Sequence, residues 1–489
     1  MENNNSILSN LFWKFAERIT AQIVTVIVSI ILARLLEPSH YGVIAIVNIF
    51  IAIANVFVTD GLASALIQKK NADKIDYSSV LYFNLFLSVA LYIGLFFLAP
   101  VITSFYGDGY DILTPVLRIL GFRLMLSAIN SVQQAYVAKH MIFRKFFLAT
   151  LSGTVISAVV GIIMAYNGFG VWALVAQYLT NTTVDTVVLG LSLKKKNLCY
   201  FSWKRIKVFL GFGIKILGAN LLITGYQELR SLMIGKIYTS SDLAFYDQGK
   251  RFPNLIVTNI NVSIDAVLFP KMASEQDNLQ KIKLMTRKSI KFSAFLMCPL
   301  MLGLAVVANS FVTLILTEKW IPCVPLLQLF CIIYLFQPIH TANMQAIKAI
   351  GRGDIYAKLE IIKKSIEFIV LIFTVNISIE AIVIGMAVLT TLFTFVNAYP
   401  NIKLINYSFV EQMGDICPAI GRAMVMVFVV IGISKVNIPM VLMLMIQVIG
   451  GMLTYLMVCC ITKCPELCYI FDLTKRYFID LWRKNNSDN

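Results

Sequence analysis

Apolar runs of about twenty residues recur almost without pause from Ile19 to Cys460, and they constrain this chain more than any other feature. A helix of about twenty apolar residues crosses the roughly 30 Å hydrocarbon core of a bilayer, and inside that core the backbone must satisfy its own hydrogen bonds. The composition agrees, because 58% of the 489 residues are hydrophobic and only 14% are charged. The sequence therefore predicts an all-α integral membrane protein with no separate soluble domain.

The pattern divides into about fourteen transmembrane helices. Their predicted ranges are 14–36, 41–67, 79–104, 112–138, 146–166, 169–193, 208–235, 242–269, 289–316, 323–347, 359–376, 379–402, 419–436 and 438–461.

Lys and Arg side chains are concentrated in alternate links between these spans. Links on one side contain groups such as Lys194, Lys195 and Lys196, whereas the opposite side has only Lys236, Lys319 and Lys435. Cytoplasmic loops of membrane proteins are enriched in Lys and Arg, so both termini are predicted to be cytoplasmic. The net charge of +16 is explained by this asymmetry and does not indicate nucleic-acid binding.

The sequence contains an internal repeat. Residues 83–99, "FNLFLSVALYIGLFFLA", and residues 292–308, "FSAFLMCPLMLGLAVVA", share seven identities, at an offset of about 210 residues. This offset separates equivalent helices by six spans, an even number, so the two copies run in the same direction through the membrane. We predict two parallel six-helix lobes, residues 1–200 and 201–405, followed by a C-terminal helix pair and tail, residues 406–489. Two fused copies could also form a static scaffold.

Charged residues inside the predicted spans are the first candidates for a functional site, because a charge at membrane depth usually faces a bundle interior or an aqueous cavity. Spans seven and eight form a predicted hairpin, and five charged residues lie within about a dozen residues of its turn. They are Glu228, Arg230, Asp247, Lys250 and Arg251. Asp247 precedes Lys250 and Arg251 by three and four residues, so its carboxylate can pair with both cations on one helix face. Glu228 and Arg230 can meet them from the neighbouring helix.

Four further residues complete the candidate set. Arg123 lies near the middle of span four, Arg18 and Asp60 lie on spans one and two, and His340 follows a proline on span ten. The excess of cations favours an anionic ligand. Two alternatives stay open: these charges form structural ion pairs or reach the interface, and His340 is either a proton-coupling group or a hydrogen-bonded interior residue.

No enzyme motif is found: the sequence has no P-loop, HExxH, GxSxG or nucleotide-binding fingerprint. The outward loops are short, which disfavours a polymerase or glycosyltransferase with an external catalytic loop. The clustered cysteines near residue 460 have no histidine nearby, so we predict no metal site.

Several stretches together resemble the polysaccharide transporter family, which includes the Wzx-type O-antigen flippases and the colanic-acid exporters. Their order and spacing carry the resemblance across nearly the whole chain, most strongly over residues 10–280. They are "ILARLLEPSHYGVIAI" (31–46), "DGLASALIQKK" (60–70), "AYVAKHMIFRKFF" (135–147), "GFGVWALVAQ" (168–177), "IGKIYTSSDLAFYDQGKRFP" (234–253) and "VLFPKMASEQ" (267–276).

The resemblance implies a non-enzymatic flippase of the bacterial inner membrane. Such proteins move an undecaprenyl-diphosphate-linked oligosaccharide, the repeat unit of O-antigen, capsule or exopolysaccharide, by alternating access between two lobes. No cofactor is implied beyond an H⁺ or Na⁺ gradient, and the implied partners are the lipid-linked oligosaccharide, membrane lipids and the polymerase and chain-length machinery. A cation-lined cavity is implied for the diphosphate and sugars, formed here by Arg18, Arg123, Arg230, Lys250 and Arg251.

Glu228, Asp247, Asp60 and His340 are the predicted ion-pairing or coupling residues. The wider family often has an Asp near position 230, where this chain has Arg, so no coupling role is transferred to that site. Two alternatives remain: a multidrug exporter of the same superfamily, whose cavity would be acidic, and a membrane polysaccharide polymerase or glycosyltransferase.

The charge asymmetry generates a topology prediction. Reporters fused after Lys70, Lys196, Gln276 and Asn489 should give a cytoplasmic signal, because these positions end or follow the basic links. Reporters fused after Asp108, Ser241 and Lys435 should give an external signal. A cytoplasmic signal after Ser241 would contradict both the repeat alignment and the assignment of the charged hairpin residues to a cavity.

Overall fold

The computed structural model describes residues 20–69, 71–107, 109–193 and 200–468, and helices are the only regular secondary structure in these ranges. The chain forms two compact units, Met1–Ala244 and Phe245–Asn489. The lobe boundaries predicted at residues 200 and 405 stay a prediction. In chain order, the first helices are α1 (Thr20–Leu35), α2 (Pro38–Gln68), α3 (Lys74–Tyr106), α4 (Leu113–Gly121), α5 (Arg123–His140), α6 (Phe143–Tyr166), α7 (Val171–Ser192) and α8 (Trp203–Ile237).

Helix α9 (Ser240–Ala273) begins in the first unit and continues in the second. The remaining helices are α10 (Leu279–Ile315), a 3₁₀ helix (Glu318–Cys323), α11 (Val324–Leu335), α12 (Gln337–Ala349), α13 (Gly353–Thr374), α14 (Ile379–Leu404), α15 (Phe409–Ile433) and α16 (Met440–Ile461).

The structure confirms an all-helical membrane protein. Within the described ranges, nine helical segments are long and apolar enough to cross a bilayer, counting Leu113–His140 and Glu318–Ala349 as one each. Each of the fourteen predicted spans overlaps a helix or a pair of consecutive helices. The five that do not meet the criterion of length and apolarity fall on α1, α7, α8, α9 and α13. The described part of α1 is short. Helices α8, α9 and α13 each contain several charged residues, and these charges also make the three helices candidates for a functional role.

Both units interrupt a helix at a comparable point of the internal repeat. In the first unit, Phe122 separates α4 from α5, and in the second unit Phe336 separates α11 from α12. Pro338 accounts for the second break, because proline cannot donate the backbone hydrogen bond of a continuing helix. Phe122 keeps helical backbone angles, and Met125 and Ile339 donate to the carbonyl oxygens of Phe122 and Phe336, both at 3.1 Å. Each interruption is therefore a local irregularity within one membrane-spanning segment.

In the first unit, α2 and α8 approach each other through glycine. A Cβ atom on Gly61 would lie 3.1 Å from the carbonyl oxygen of Gly213 on α8, and one on Gly42 would lie 1.7 Å from the carbonyl oxygen of Ser240. Small residues at such crossings let two backbones approach within van der Waals distance, which is a main source of helix association in membranes. The glycines therefore fix α2 against α8 and the first residue of α9, all within the first unit.

A buried carboxylate joins three segments at one end of the first unit. Asp76, which is fully buried, accepts from Lys69 at 2.6 Å and from Arg205 of α8 at 2.9 Å. The Nζ atom of Lys139 donates to the carbonyl oxygen of Lys69, at the end of α2. Since a buried charge without partners is costly, these contacts hold α2, α3, α5 and α8 in one arrangement.

The second unit contains an equivalent arrangement of charges between α10 and α15. The nearly buried carboxylate of Asp415 accepts two hydrogen bonds from Arg287, at 2.8 and 2.9 Å, and lies 3.2 Å from Lys291. The Tyr407 hydroxyl donates to the same carboxylate at 2.7 Å, and burial raises the pKa of this phenol, which keeps it protonated. The contacts tie the terminal helix pair to α10 through α15.

The close approach at Gly42 gives a stability prediction. Gly42→Ala should lower the stability of the protein by about 2 kcal/mol or more, because the added methyl group collides with the Ser240 backbone and cannot be accommodated by a rotamer change. Thermal unfolding of the purified protein measures this effect. Gly94→Ala is the matched control: no atom lies within 4 Å of the added Cβ, so the exchange should be neutral or stabilising by up to about 1 kcal/mol. Equal midpoints for the two variants would contradict the assignment.

Candidate functional site

The predicted site residues lie in different parts of the fold. Arg18 lies outside the described residues, and although Asp60 is on α2, its side chain is outside them too. Half-buried Glu228 and Arg230 lie on α8 in the first unit. Asp247, Lys250 and Arg251 are half-buried on α9 in the second unit, so the proposed grouping of all five charges stays a prediction.

Arg123 is the first residue of α5, directly after the helix break. Its Nε atom donates to the Thr182 hydroxyl of α7 at 3.0 Å, and its guanidinium lies 5.5 Å from the centre of the Tyr178 ring. Cation–π contacts and hydroxyl hydrogen bonds orient a guanidinium without neutralising its charge. Arg123 can therefore contribute positive potential to the interior of the first unit.

His340 lies on α12 with both ring nitrogens within hydrogen-bonding distance of α14. Nδ1 is 2.6 Å from the amide nitrogen of Asn397, and Nε2 is 3.3 Å from the hydroxyl of Thr394. Asn397 and Thr394 are themselves buried. These contacts fix the ring orientation, and a coupling role for His340 stays a prediction.

A polar cavity lies beside His340, and all the residues that line it belong to the second unit. It has a volume of about 440 Å³ and is enclosed mainly by α12, α13 and α14. Its lining combines amides, aromatic rings and charges of both signs. The residues are Asn261, Gln337, His340, Thr341, Met344, Gln345, Lys348, Tyr356, Glu360, Lys363, Lys364, Glu367, Thr390, Phe393 and Asn397.

Helix α13 supplies most of the charge in this cavity. Lys363 is only 8% exposed and lies 2.5 Å from Glu360, and Lys364 lies 3.0 Å from Glu367. The i,i+3 spacing places each pair on one face of the helix, where the acid neutralises the base without help from another helix. These contacts explain how four charged side chains coexist within two turns of a membrane helix.

Lys348 adds a positive charge at the end of α12. It is exposed, and its Nζ atom lies 4.3 Å from the centre of the Tyr356 ring. Together with Lys363 and Lys364 it gives three ammonium groups against the two carboxylates of Glu360 and Glu367. The cavity lining therefore has a positive excess, with amide donors and acceptors around it.

The α13 charges were not among the residues predicted from the sequence. Residues 360–367 contain four charged positions within a predicted span, which is the same signal that selected residues 221–236. Applying that criterion to every span would have found Glu360, Lys363, Lys364 and Glu367. The cavity itself has no sequence signal, because it depends on how three helices pack.

Comparisons with known proteins agree with this architecture. A family model described as "Polysaccharide biosynthesis protein" matches residues 31–325, more than half of the chain. The "Lipopolysaccharide biosynthesis protein WzxC" of Escherichia coli (strain K12) is 23% identical over 335 residues, 68% of each chain.

Two solved structures show the same fold at low sequence identity. The lipid II flippase MurJ in an inward closed conformation is 16% identical, with a TM-score of 0.74 over 92% of this chain and 98% of that chain. An inward-facing multidrug resistance transporter of the MATE family is also 16% identical, with a TM-score of 0.61 over 79% of this chain and 96% of that chain. The fold is thus that of MurJ and the MATE transporters.

The buried Lys363–Glu360 pair generates a second stability prediction. Lys363→Met should destabilise the protein because it leaves the Glu360 carboxylate without its counter-charge. The loss should be smaller than the roughly 3 to 5 kcal/mol that a fully buried pair shows, since the Glu360 side chain is 32% exposed. The double variant Lys363→Met with Glu360→Gln should recover most of the lost stability in thermal unfolding. A double variant no more stable than Lys363→Met would show that the pair is not what holds this part of α13.

Proposed function

We propose that this chain, which belongs to the polysaccharide biosynthesis protein family, moves a lipid-linked oligosaccharide across the bacterial inner membrane. The cargo is an undecaprenyl-diphosphate-linked repeat unit of O-antigen, capsule or exopolysaccharide. The family match and the MurJ-like fold support the proposal, since a flippase needs a membrane-spanning body without an enzyme's catalytic groups. The printed name of WzxC places that relative in lipopolysaccharide biosynthesis.

The observation that carries the proposal is the lining of the second unit's cavity. Sugar hydroxyls need both donors and acceptors, which Gln337, Gln345 and Asn397 supply, and an aromatic ring such as Tyr356 offers an apolar face to a pyranose. The positive excess from the lysines suits an anionic group on the same ligand. A polar, positively charged cavity inside a membrane protein is costly to maintain, and a glycan bearing phosphate is a ligand that would use it.

We assign the diphosphate to cations on the membrane-depth helices: Arg18, Arg123, Arg230, Lys250 and Arg251. Phosphate oxygens accept bidentate hydrogen bonds from guanidinium groups, which favours arginine at such positions. Lys348 and Lys364 add positive charge to the cavity of the second unit.

We further propose fourteen spans with both termini cytoplasmic, arranged as two parallel six-helix lobes and a terminal pair. Alternation between inward and outward states then requires that each lobe moves as a unit. The two charge clusters described above favour rigid units, since Asp76 and Asp415 each hold several helices together. Glu228, Asp247, Asp60 and His340 remain our candidates for ion pairing or coupling.

A multidrug exporter is the second candidate, because the MATE fold is shared. Cationic drugs need an acidic cavity, whereas the cavity of the second unit has three lysines and two glutamates. The positive excess therefore favours the anionic glycolipid. A polymerase or glycosyltransferase would need catalytic groups for which the sequence provides no motif.

The proposal predicts charge-dependent export. In a strain lacking the chromosomal copy, Arg230→Glu and Lys348→Glu should each reduce surface glycan at least tenfold and cause lipid-linked precursor to accumulate, because each reverses the potential that attracts the diphosphate. Lys435→Glu, an exposed charge reversal between α15 and α16, is the matched control and should export normally.

Extracted lipid-linked oligosaccharides and surface glycan are measured at equal protein level in the membrane. Normal export by both site variants would contradict the assignment of these cations to the substrate. A deletion strain that accumulates no lipid-linked precursor but retains cationic dyes would instead favour the multidrug exporter.

A further inference from the structure

Among the buried side-chain oxygen atoms of the first unit that have no hydrogen-bond partner within the described residues, three lie on the adjacent helices α5, α6 and α7. They are Oε1 of Gln133 on α5, Oγ1 of Thr150 on α6 and Oδ1 of Asp185 on α7. Buried polar atoms in proteins are nearly always paired, so three orphans on three adjacent helices require an explanation. All three are acceptors or can act as acceptors, and one belongs to a carboxylate.

Contacts between the helices place these residues at neighbouring levels. Asn130 of α5 donates to the other carboxylate oxygen of Asp185 at 3.0 Å, and Gln133 follows Asn130 by one helical turn. The Nε2 atom of Gln133 lies 3.0 Å from where a Cβ atom on Gly190 of α7 would be. Ala149 of α6 and Leu189 of α7 belong to one packed hydrophobic cluster. Ala149 is next to Thr150, and Leu189 lies one turn beyond Asp185.

Two glycines create the space that the polar side chains occupy. A Cβ atom on Gly153 of α6 would lie 3.3 Å from the Asp185 Cβ atom and 3.0 Å from the carbonyl oxygen of Asn181. Gly190 makes room for the Gln133 amide in the same way. Gln133 itself is only 7% exposed, so its amide points into the protein rather than into lipid or water.

The charge of Asp185 is not balanced by an ion pair among the described residues. Two cations on these helices are engaged with other groups: Arg123 donates to Thr182 and lies near Tyr178, and Lys145 donates to the carbonyl oxygen of Ser192 at 2.9 Å. His40 contacts the other end of α7, beside Gly170. Gly153, the α6 residue beside Asp185, is not ionisable. Ser157, one turn further along α6, accepts from Asn181 and is not ionisable either. A carboxylate between membrane helices that accepts from the neutral amide of Asn130 is stabilised further by a bound cation or proton.

We propose that Gln133, Thr150 and Asp185 bind a monovalent metal cation, Na⁺, between α5, α6 and α7. A carboxylate, an amide carbonyl and a hydroxyl are oxygen ligands of the kind that hard cations prefer, and each comes from a different helix. A single negative charge balances one monovalent ion, whereas Ca²⁺ sites usually contain several carboxylates. Binding would join the three helices through one ion, which is a means of coupling an ion gradient to the packing of this unit.

The site is independent of the glycan and is therefore tested without it. The unfolding midpoint of the purified full-length protein is measured at equal ionic strength in NaCl, KCl and N-methyl-D-glucamine chloride. A ligand that binds only the folded state raises the midpoint, so NaCl should raise it by about 3 °C or more relative to the other two salts.

Variants then locate the effect. Asp185→Asn and Thr150→Val are close in shape to the native residues and should abolish the Na⁺-specific rise while the protein still folds. Thr454→Val, another half-buried threonine in a membrane helix, is the control and should retain the full rise.

An unchanged Na⁺ response in both site variants would overturn the proposal, as would the absence of any Na⁺-specific rise in the native protein. A native midpoint that responds to pH but not to Na⁺ would assign Asp185 to a proton instead. None of these outcomes depends on which molecule the protein transports, so a failure here is distinguishable from a failure of the proposed export function.

Discussion

The cost of placing charge inside a low-dielectric membrane protein is the constraint on which the rest of this structure depends. Asp76 and Asp415 meet it by accepting from several donors at once, and each thereby joins helices that are distant in sequence. Lys363 meets it locally, with Glu360 one turn away. Ion pairs between helices, such as those of Asp76 and Asp415, fix the packing of a unit. An ion pair within one helix, such as Lys363 with Glu360, does not tie that helix to a neighbour, so the helix can line a cavity.

Close backbone packing complements these charges. Gly42 and Gly61 let α2 lie directly against the segment from Gly213 to Ser240, which contains the charged stretch around Arg230. Dispersion forces and charge pairs, rather than the hydrophobic effect, hold helices together in lipid. Glycine contacts can therefore fix one face of a helix while charged residues occupy another. Helix α8 has both features, with Gly213 against α2 and the charged stretch around Arg230.

Hydropathy predicted the helices well, because the bilayer sets their length, and each predicted span overlaps an observed helix or helix pair. The interruption at Phe122 was not predicted: Gly121 precedes it, but a single glycine inside an apolar run does not by itself mark a helix end. Asp185 was also missed. A single acid among Thr and Asn residues does not stand out in a sequence, and its significance depends on the glycines and amides that two other helices bring to it.

The polar groups of the two units differ in a way that bears on mechanism. In the second unit, the cavity charges are mostly compensated by neighbours on α13, so binding a glycan there would not require the protein to gain or lose charge. In the first unit, Asp185 is uncompensated and Arg123 is oriented only by neutral partners. An ion gradient can do work only through a group whose charge is balanced by the transported ion. For the export that we propose, the compensated charges of the second unit suit glycan recognition and the Asp185 carboxylate suits coupling, while Arg123 keeps its positive charge for an anionic group of the ligand.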